Sequence, residues 1–298
     1  MRVPQGGEVD DALLRAWPLP PVDEDGDKES RGSVLVVAGS REMPGAAVLA
    51  ATAALRAGAG KLVIATTASA AHGVALAMPE ARVIALAEGS DGSPTVAGLR
   101  ALQPLASATA ALLLGPGMIG EVGTRLFVEA LLPLFRDSTV LLDALAMDVV
   151  RSVHRFSQPV VLTPHAGEMA HLTGRDKEDL QAQPRDMALR GAGEWNAVLA
   201  LKGATTCVAT PDGRSWLHSA QAPGLGTSGS GDVLSGIIAG LAARGASPEQ
   251  AAVWGVALHA RAGETLARRM GQVGYLAREL AAEVPALMAA LAPAGEPA

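Results

Sequence analysis

From Ser33 onward, short apolar runs alternate with longer stretches of helical character. Val34-Leu-Val-Val-Ala38 is continuously apolar and ends in Gly39-Ser40, the pattern of a strand buried on both faces. Residues 45–57 form an Ala-rich helical stretch closed by Gly58, and Lys61-Leu-Val-Ile-Ala65 reads as the next strand. Residues 82–87, 110–114, 140–142, 160–162, 198–201 and 206–209 repeat the theme, with helical stretches between most of them. Strand, helix, strand in this order predicts an α/β fold with a mostly parallel sheet. No internal repeat is visible, so residues 32–298 are expected to form one domain. Residues 1–31 lack the pattern. Their charged run Asp23-Glu-Asp-Gly-Asp-Lys-Glu29, punctuated by prolines, reads as a loop or linker in an N-terminal extension.

Composition narrows the picture. Hydrophobic residues are 49% of 298 and charged residues 18%, which is globular. Aromatics are only 3%, so the core is built from Ala, Val and Leu and suits close packing of helices on a sheet. Lys and Arg number 24 against 30 Asp and Glu, a net charge of -6. That balance argues against nucleic acid or an anionic membrane as partner, since both recruit basic surfaces. Cys207 is the single cysteine, so no disulfide forms within the chain. The acidic N-terminus has no apolar h-region, and the expected location is the cytoplasm. The uncharged stretch 101–120 is long enough to test as a membrane span. Gln103, Pro104, Ser107, Thr109 and Gly115-Pro-Gly117 interrupt it, leaving a short buried strand instead.

In such sheets ligands sit beyond the carboxyl ends of the strands. The loops there are Gly39-Ser40, Gly115-Pro-Gly117, Asp143-Ala144, Thr163-Pro-His165 and Lys202-Gly203. The strongest single feature is Gly224-Leu-Gly-Thr-Ser-Gly-Ser-Gly-Asp232, running straight into an apolar helix. Free N–H groups and the helix dipole at such a start favour an anion, and a phosphate fits. Asp232 in the first turn is either a helix cap or a general base facing a substrate hydroxyl. The same loop matches G-x-G-x-x-G by letter. No strand leads directly into it and no acid-ended strand follows at the required distance, so a dinucleotide fold of the Rossmann type is rejected. His165 is a loop residue satisfied locally or a group facing the site, and His259, on a helix over 251–267, is expected to be structural. Lys202 is a candidate phosphate contact, and Gly203 lets a flat ring approach the backbone. His and Cys show no metal-ligand spacing, which excludes a structural zinc.

Taken together, the motifs resemble the NAD(P)H-hydrate dehydratase family of the ribokinase-like superfamily. The residues that carry the resemblance are Glu42-Met-Pro-Gly-Ala-Ala47, Gly58-Ala-Gly-Lys-Leu-Val63, Leu114-Gly-Pro-Gly117, Leu142-Asp-Ala144, Leu162-Thr-Pro-His-Ala-Gly-Glu168, Leu201-Lys-Gly203, Gly229-Ser-Gly-Asp-Val-Leu-Ser-Gly236 and Leu258-His-Ala-Arg-Ala-Gly263. The resemblance implies a three-layer αβα fold and repair of hydrated NADH and NADPH with ADP, or ATP, as co-substrate. It assigns Ala47, Gly117, His165 and Asp232 to the hydrated cofactor. Lys202, Gly203, Ala204, Thr205, Thr206 and Gly231 go to the adenine nucleotide. Asp232 becomes the base, and the N–H groups of Gly229, Ser230 and Gly231 an anion hole. It also implies magnesium, a homotetramer and a separate epimerase. Two positions depart from the family pattern: Ser230 stands where Thr is frequent, and Gln221-Ala222-Pro223 replaces a Gly-Asn pair. The competing expectations are a small-molecule kinase acting on a vitamin alcohol and a nucleotide-binding module without catalysis.

Overall fold

The computed structural model describes residues 5–21 and 26–292. Asp23 to Asp25 of the charged run lie outside the described residues. Ten strands form one sheet: β1 (Gly7–Glu8), β2 (Ser33–Val37), β3 (Lys61–Thr67), β4 (Arg82–Leu86), β5 (Ala111–Leu114), β6 (Thr139–Leu142), β7 (Val160–Leu162), β8 (Val198–Leu201), β9 (Thr205–Ala209) and β10 (Ser215–Ser219). Their spatial order is β1-β10-β9-β8-β7-β6-β5-β2-β3-β4. All neighbours are parallel except β9, which runs antiparallel to both β8 and β10.

The continuous apolar runs follow from burial on both faces. Val34 and Val36 enter one core cluster, Leu35 and Val37 the other; Leu113 and Leu141 point to the first side, Leu112, Leu114, Val140 and Leu142 to the second. Side chains alternate along a strand, so only a strand covered twice is apolar at every position. On the first face lie the helices Pro44–Arg56, Ser230–Ala243, Pro248–Met270 and Ala277–Leu291. The second face is covered by elements that include Glu121–Leu131, Ala166–Thr173 and Pro184–Trp195. The expected three-layer αβα architecture is the one observed.

Small residues set how closely the first layer packs. A side chain at Gly236 would begin 2.2 Å from the Ala50 carbonyl oxygen, and one at Gly240 would begin 2.3 Å from that of Ala54. The spacing of four on both helices makes them parallel neighbours in contact along their backbones. As a result Pro44 and Ser230, their first residues, open side by side.

The N-terminal segment expected as an appended loop is, in its described part, docked on the core. Gly7 and Glu8 pair with Trp216 and Leu217 as an edge strand. Asp10 caps the helix Asp11–Ala16 by accepting from the Leu13 amide at 2.8 Å. Leu14 and Trp17 are buried, and Trp17 stacks on Trp216 with ring centroids 5.6 Å apart. Strand β10, absent from the expected set, is the partner that makes this docking possible.

Candidate active site

The loops after β2, β5, β6, β7 and β8 gather at one edge of the sheet, facing the start of the Ser230–Ala243 helix. At their centre is Lys202. Its backbone amide donates to the Pro164 carbonyl at 2.8 Å, fastening the β8 end to the β7 loop. Its Nζ lies 3.2 Å from Asp143 Oδ1 and 3.7 Å from Glu168 Oε2. A side chain built on Gly231 would start 3.5 Å from the same Nζ, so the ammonium stands directly over the helix start. Burial opposes this charge, but Asp143 and Glu168, with Asp232 beyond them, outweigh it and hold the Lys202 pKa above its ordinary value.

Asp143 is buried and doubly engaged: its Oδ1 accepts from Thr163 Oγ1 at 2.8 Å and from Lys202. The residue after it, Ala144, has φ +47, a left-handed conformation uncommon outside glycine that turns the chain sharply at the cleft. Asp232 is different. Half-buried in the first turn of its helix, its carboxylate accepts no hydrogen bond among the described residues. Burial pushes its pKa up to about 7, the neighbouring Asp143 charge pushes the same way, and Lys202 opposes them. A carboxylate that titrates near neutral pH and carries no hydrogen bond of its own is suited to taking a proton. The capping alternative does not hold, because the helix has no side-chain cap and its N-cap position is Gly229, with φ +86.

The expected anion hole is partly spent on the chain itself. The Ser230 amide donates to the Thr227 carbonyl at 3.2 Å. The Gly229, Gly231 and Asp232 amides have no backbone partner among the described residues, so Asp232 joins the set where Ser230 was expected. Ser230 is anchored instead by His259, whose Nε2 lies 2.9 Å from its Oγ and 3.0 Å from its carbonyl oxygen. The carbonyl can only accept, so Nε2 donates. Burial pushes the His259 pKa down to about 4, keeping the ring neutral while it holds the loop.

His165 caps the Ala166–Thr173 helix: its Nδ1 accepts from the Gly167 and Glu168 amides at 3.0 and 3.1 Å, and its own amide donates to Glu168 Oε2 at 2.7 Å. Its ring edge remains exposed between two adjoining hollows. Gly117, with φ +64, lies so near the Pro44–Arg56 helix that a side chain there would begin 2.5 Å from Ala46 Cβ. Ala47, one residue on, is fully buried, so the structure does not open it to a ligand as the site residue it was expected to be.

Beside this centre a cleft of about 630 Å³ contains Lys202, Gly203, Ala204, Thr206 and Gly231 of the residues expected to hold a nucleotide, together with Gln221, Ala222 and Pro223. Thr205 does not line it; its hydroxyl lies 2.8 Å from Ser219 Oγ, bridging β9 and β10. The pairing of Asp143, Glu168 and Thr163 around Lys202 was not in the expected site. Each is a polar group just past a strand, which marked the loops but not their convergence. Among the described residues no three His, Cys, Asp or Glu side chains gather as a metal-binding group.

A family model described as NAD(P)H-hydrate dehydratase matches residues 34–286. The chain is 51% identical over 288 residues to a Xanthomonas campestris pv. campestris protein named ADP-dependent (S)-NAD(P)H-hydrate dehydratase, covering 97% of this chain and 98% of that one. A Bacillus subtilis ADP/ATP-dependent NAD(P)H-hydrate dehydratase co-crystallised with ATP and Mg2+ superposes with a TM-score of 0.82 at 30% identity, covering 96% of this chain and 99% of that one. A ribokinase-like superfamily protein of Enterococcus faecalis superposes with a TM-score of 0.83 at 23% identity over 98% of both chains, a likeness of fold.

Proposed function

The chain belongs to the NAD(P)H-hydrate dehydratase family, and on that premise we propose that it dehydrates the S epimer of hydrated NADH and NADPH at the expense of ADP, releasing AMP and phosphate. The observation that carries this reading is Asp232, an unengaged carboxylate titrating near 7 beside three free backbone amides and a buried ammonium. Hydroxide is a poor leaving group at neutral pH, so the C6 hydroxyl of the hydrate must first become a phosphate ester. Asp232 accepts the hydroxyl proton as the oxygen attacks the terminal phosphorus of ADP, and AMP departs. The amides of Gly229, Gly231 and Asp232, with Lys202 Nζ above Gly231, stabilise the charge on the transferring phosphoryl group. The ring nitrogen then pushes electrons toward C6, the C6–O bond breaks with loss of phosphate, and a proton leaves C5 to restore the reduced ring.

Gly117 and His165, whose exposed ring edge lies between the 630 Å³ cleft and the hollow beside it, would receive the hydrated ring. The nucleotide would enter through the cleft, along Lys202 to Ala204 and Thr206. Asp143 and Glu168 already hold Lys202, so the donor set does not form a protein-built magnesium cage. Magnesium enters this reading as an ion carried by the nucleotide phosphates, and no step is routed through it. A homotetramer, a separate epimerase and a cytoplasmic location belong to the same reading; among the described residues no helix is long and apolar enough to cross a membrane.

The test is direct. Purified protein, hydrated NADH, ADP and magnesium should regenerate absorbance at 340 nm with stoichiometric AMP and phosphate. A stable phosphorylated product would mark a kinase of the same fold, and ADP binding without turnover a non-catalytic module.

A further inference from the structure

Thr163 stands behind the candidate centre without reaching its ligands. Leu142 at the end of β6 pairs with Leu162 at the end of β7, so the next residues, Asp143 and Thr163, leave the sheet side by side. Thr163 is 1% exposed, too buried to meet a substrate. Its hydroxyl has one proton and two acceptors in reach, Asp143 Oδ1 at 2.8 Å and the Leu142 carbonyl at 3.4 Å. The Leu142 carbonyl already accepts the Thr163 amide at 3.3 Å, and a carboxylate is the stronger acceptor, so the hydroxyl donates to Asp143. The same Oδ1 accepts from Lys202 Nζ at 3.2 Å. A second carboxylate competes for that ammonium: Glu168 Oε2 lies 3.7 Å from it and is itself held by the His165 amide at 2.7 Å. Each carboxylate is thus restrained by one protein donor. The ammonium rests between them, over the helix start, where a side chain on Gly231 would begin 3.5 Å from Nζ.

We propose that Thr163 is a positioning residue for phosphoryl transfer: its hydroxyl fixes Asp143 Oδ1, and that oxygen fixes the Lys202 ammonium where the terminal phosphate of the nucleotide arrives. The inference rests on the nucleotide reading above and adds to it the group that sets the place of its cation. Without the hydroxyl, Asp143 is free to turn about its side-chain bonds, its contact with Nζ lengthens, and Lys202 drifts toward Glu168 and away from Gly231. Stabilising the charge on a moving phosphoryl group depends on placement to within about 1 Å, so a buried hydroxyl that touches no ligand still acts on the rate.

ADP and AMP are the probes, since they differ by the terminal phosphate alone, and the ratio of their calorimetric Kd values reads the contact between that phosphate and Lys202. The wild type should bind ADP more tightly than AMP by at least about 10-fold. Thr163→Val keeps the shape and removes the donor, so the ratio should shrink by about 3- to 10-fold and kcat should fall by about 10-fold. Its AMP Kd should stay within about twofold of the wild type, because AMP lacks the phosphate that Lys202 meets, and this reports that the variant is folded. Thr163→Ser should restore both the ratio and kcat, and Thr163→Cys, a weak donor, should fall between. If the valine variant does not fold, the cysteine variant carries the same test. On an Asp143→Asn background, Thr163→Val should change the ratio by less than about twofold, because the charge through which the hydroxyl acts is gone. A threonine with a purely structural role would weaken both nucleotides together, or lower stability with the ratio intact, and either result overturns the inference. So do an unselective wild type, a serine variant that behaves like valine, and an undiminished effect without the Asp143 charge. Turnover separates the two readings: a ratio that follows these variants in a protein without turnover sinks the dehydratase reading alone, and turnover with a ratio indifferent to Thr163 sinks this inference alone.

Discussion

Asp143 and Asp232 sit on either side of one ammonium, yet they are built for different work. Asp143 is sealed under the sheet edge, with Thr163 and Lys202 both donating to a single oxygen. Asp232 has the same neighbour at longer range, no hydrogen bond of its own, and a pKa pushed up to about 7 by burial and by Asp143. A satisfied carboxylate is a fixture; an unsatisfied one beside a cleft is held ready to react. The difference lies in position rather than residue type. Asp143 follows a strand, where a neighbouring strand end supplies Thr163, whereas Asp232 stands in the first turn of a helix, among backbone amides left for an anion and at longer range from Lys202.

The largest effect expected from breaking this contrast is at Asp232. Asp232→Asn keeps the shape and removes the base, and kcat should fall by about 10²-fold or more while ADP binding persists. Next is Lys202→Met, which leaves Asp143 buried without its cation. A loss of about 3 kcal/mol in denaturant unfolding is expected, with turnover strongly reduced, because breaking a buried pair strands one charge. Gly236→Ala drives a methyl group into the Ala50 carbonyl and should cost about 1–3 kcal/mol, measured the same way, while prying apart the two helix starts. Asp143→Asn is the smallest and the most diagnostic. It removes one of the causes that raise Asp232, so the acid limb of the pH–rate profile should move to lower pH.

The raised carboxylate also has a thermodynamic sign. Between the ordinary value near 3.8 and about 7, the folded protein holds a proton on Asp232 that the unfolded chain releases, so this residue costs stability increasingly as pH rises through that window. Asp232→Asn should therefore melt above the wild type at pH 8, with the difference shrinking toward pH 4. A site kept reactive at the expense of the fold behaves this way.

The sheet was legible wherever a strand is covered twice. Val34–Val37, Leu112–Leu114 and Leu141–Leu142 have no polar position to confuse the pattern. It was illegible at the outer edge beyond β9. β10 alternates Trp216 with Leu217, His218 and Ser219 and is half open, and β1 is two residues long, so neither carries an apolar run. The helix start was legible because Gly229 to Asp232 is a local motif. The grouping of Asp143, Glu168 and Lys202 was not, because its members lie up to 59 residues apart and meet only when parallel strands align their ends. Ser230 illustrates the same limit: spacing offered its amide to a ligand, and only the folded turn shows Thr227 taking it.

The most direct measurement is kcat/KM for ADP-dependent dehydration of hydrated NADH from pH 5 to pH 9, in the wild type and in Asp232→Asn. A proton acceptor works only when ionised, so wild-type activity should fall about tenfold per pH unit below an inflection near 7, and the residual activity of Asp232→Asn should lack that inflection. An inflection that survives in the variant, or a wild-type limb lying near pH 4, would contradict Asp232 as the base.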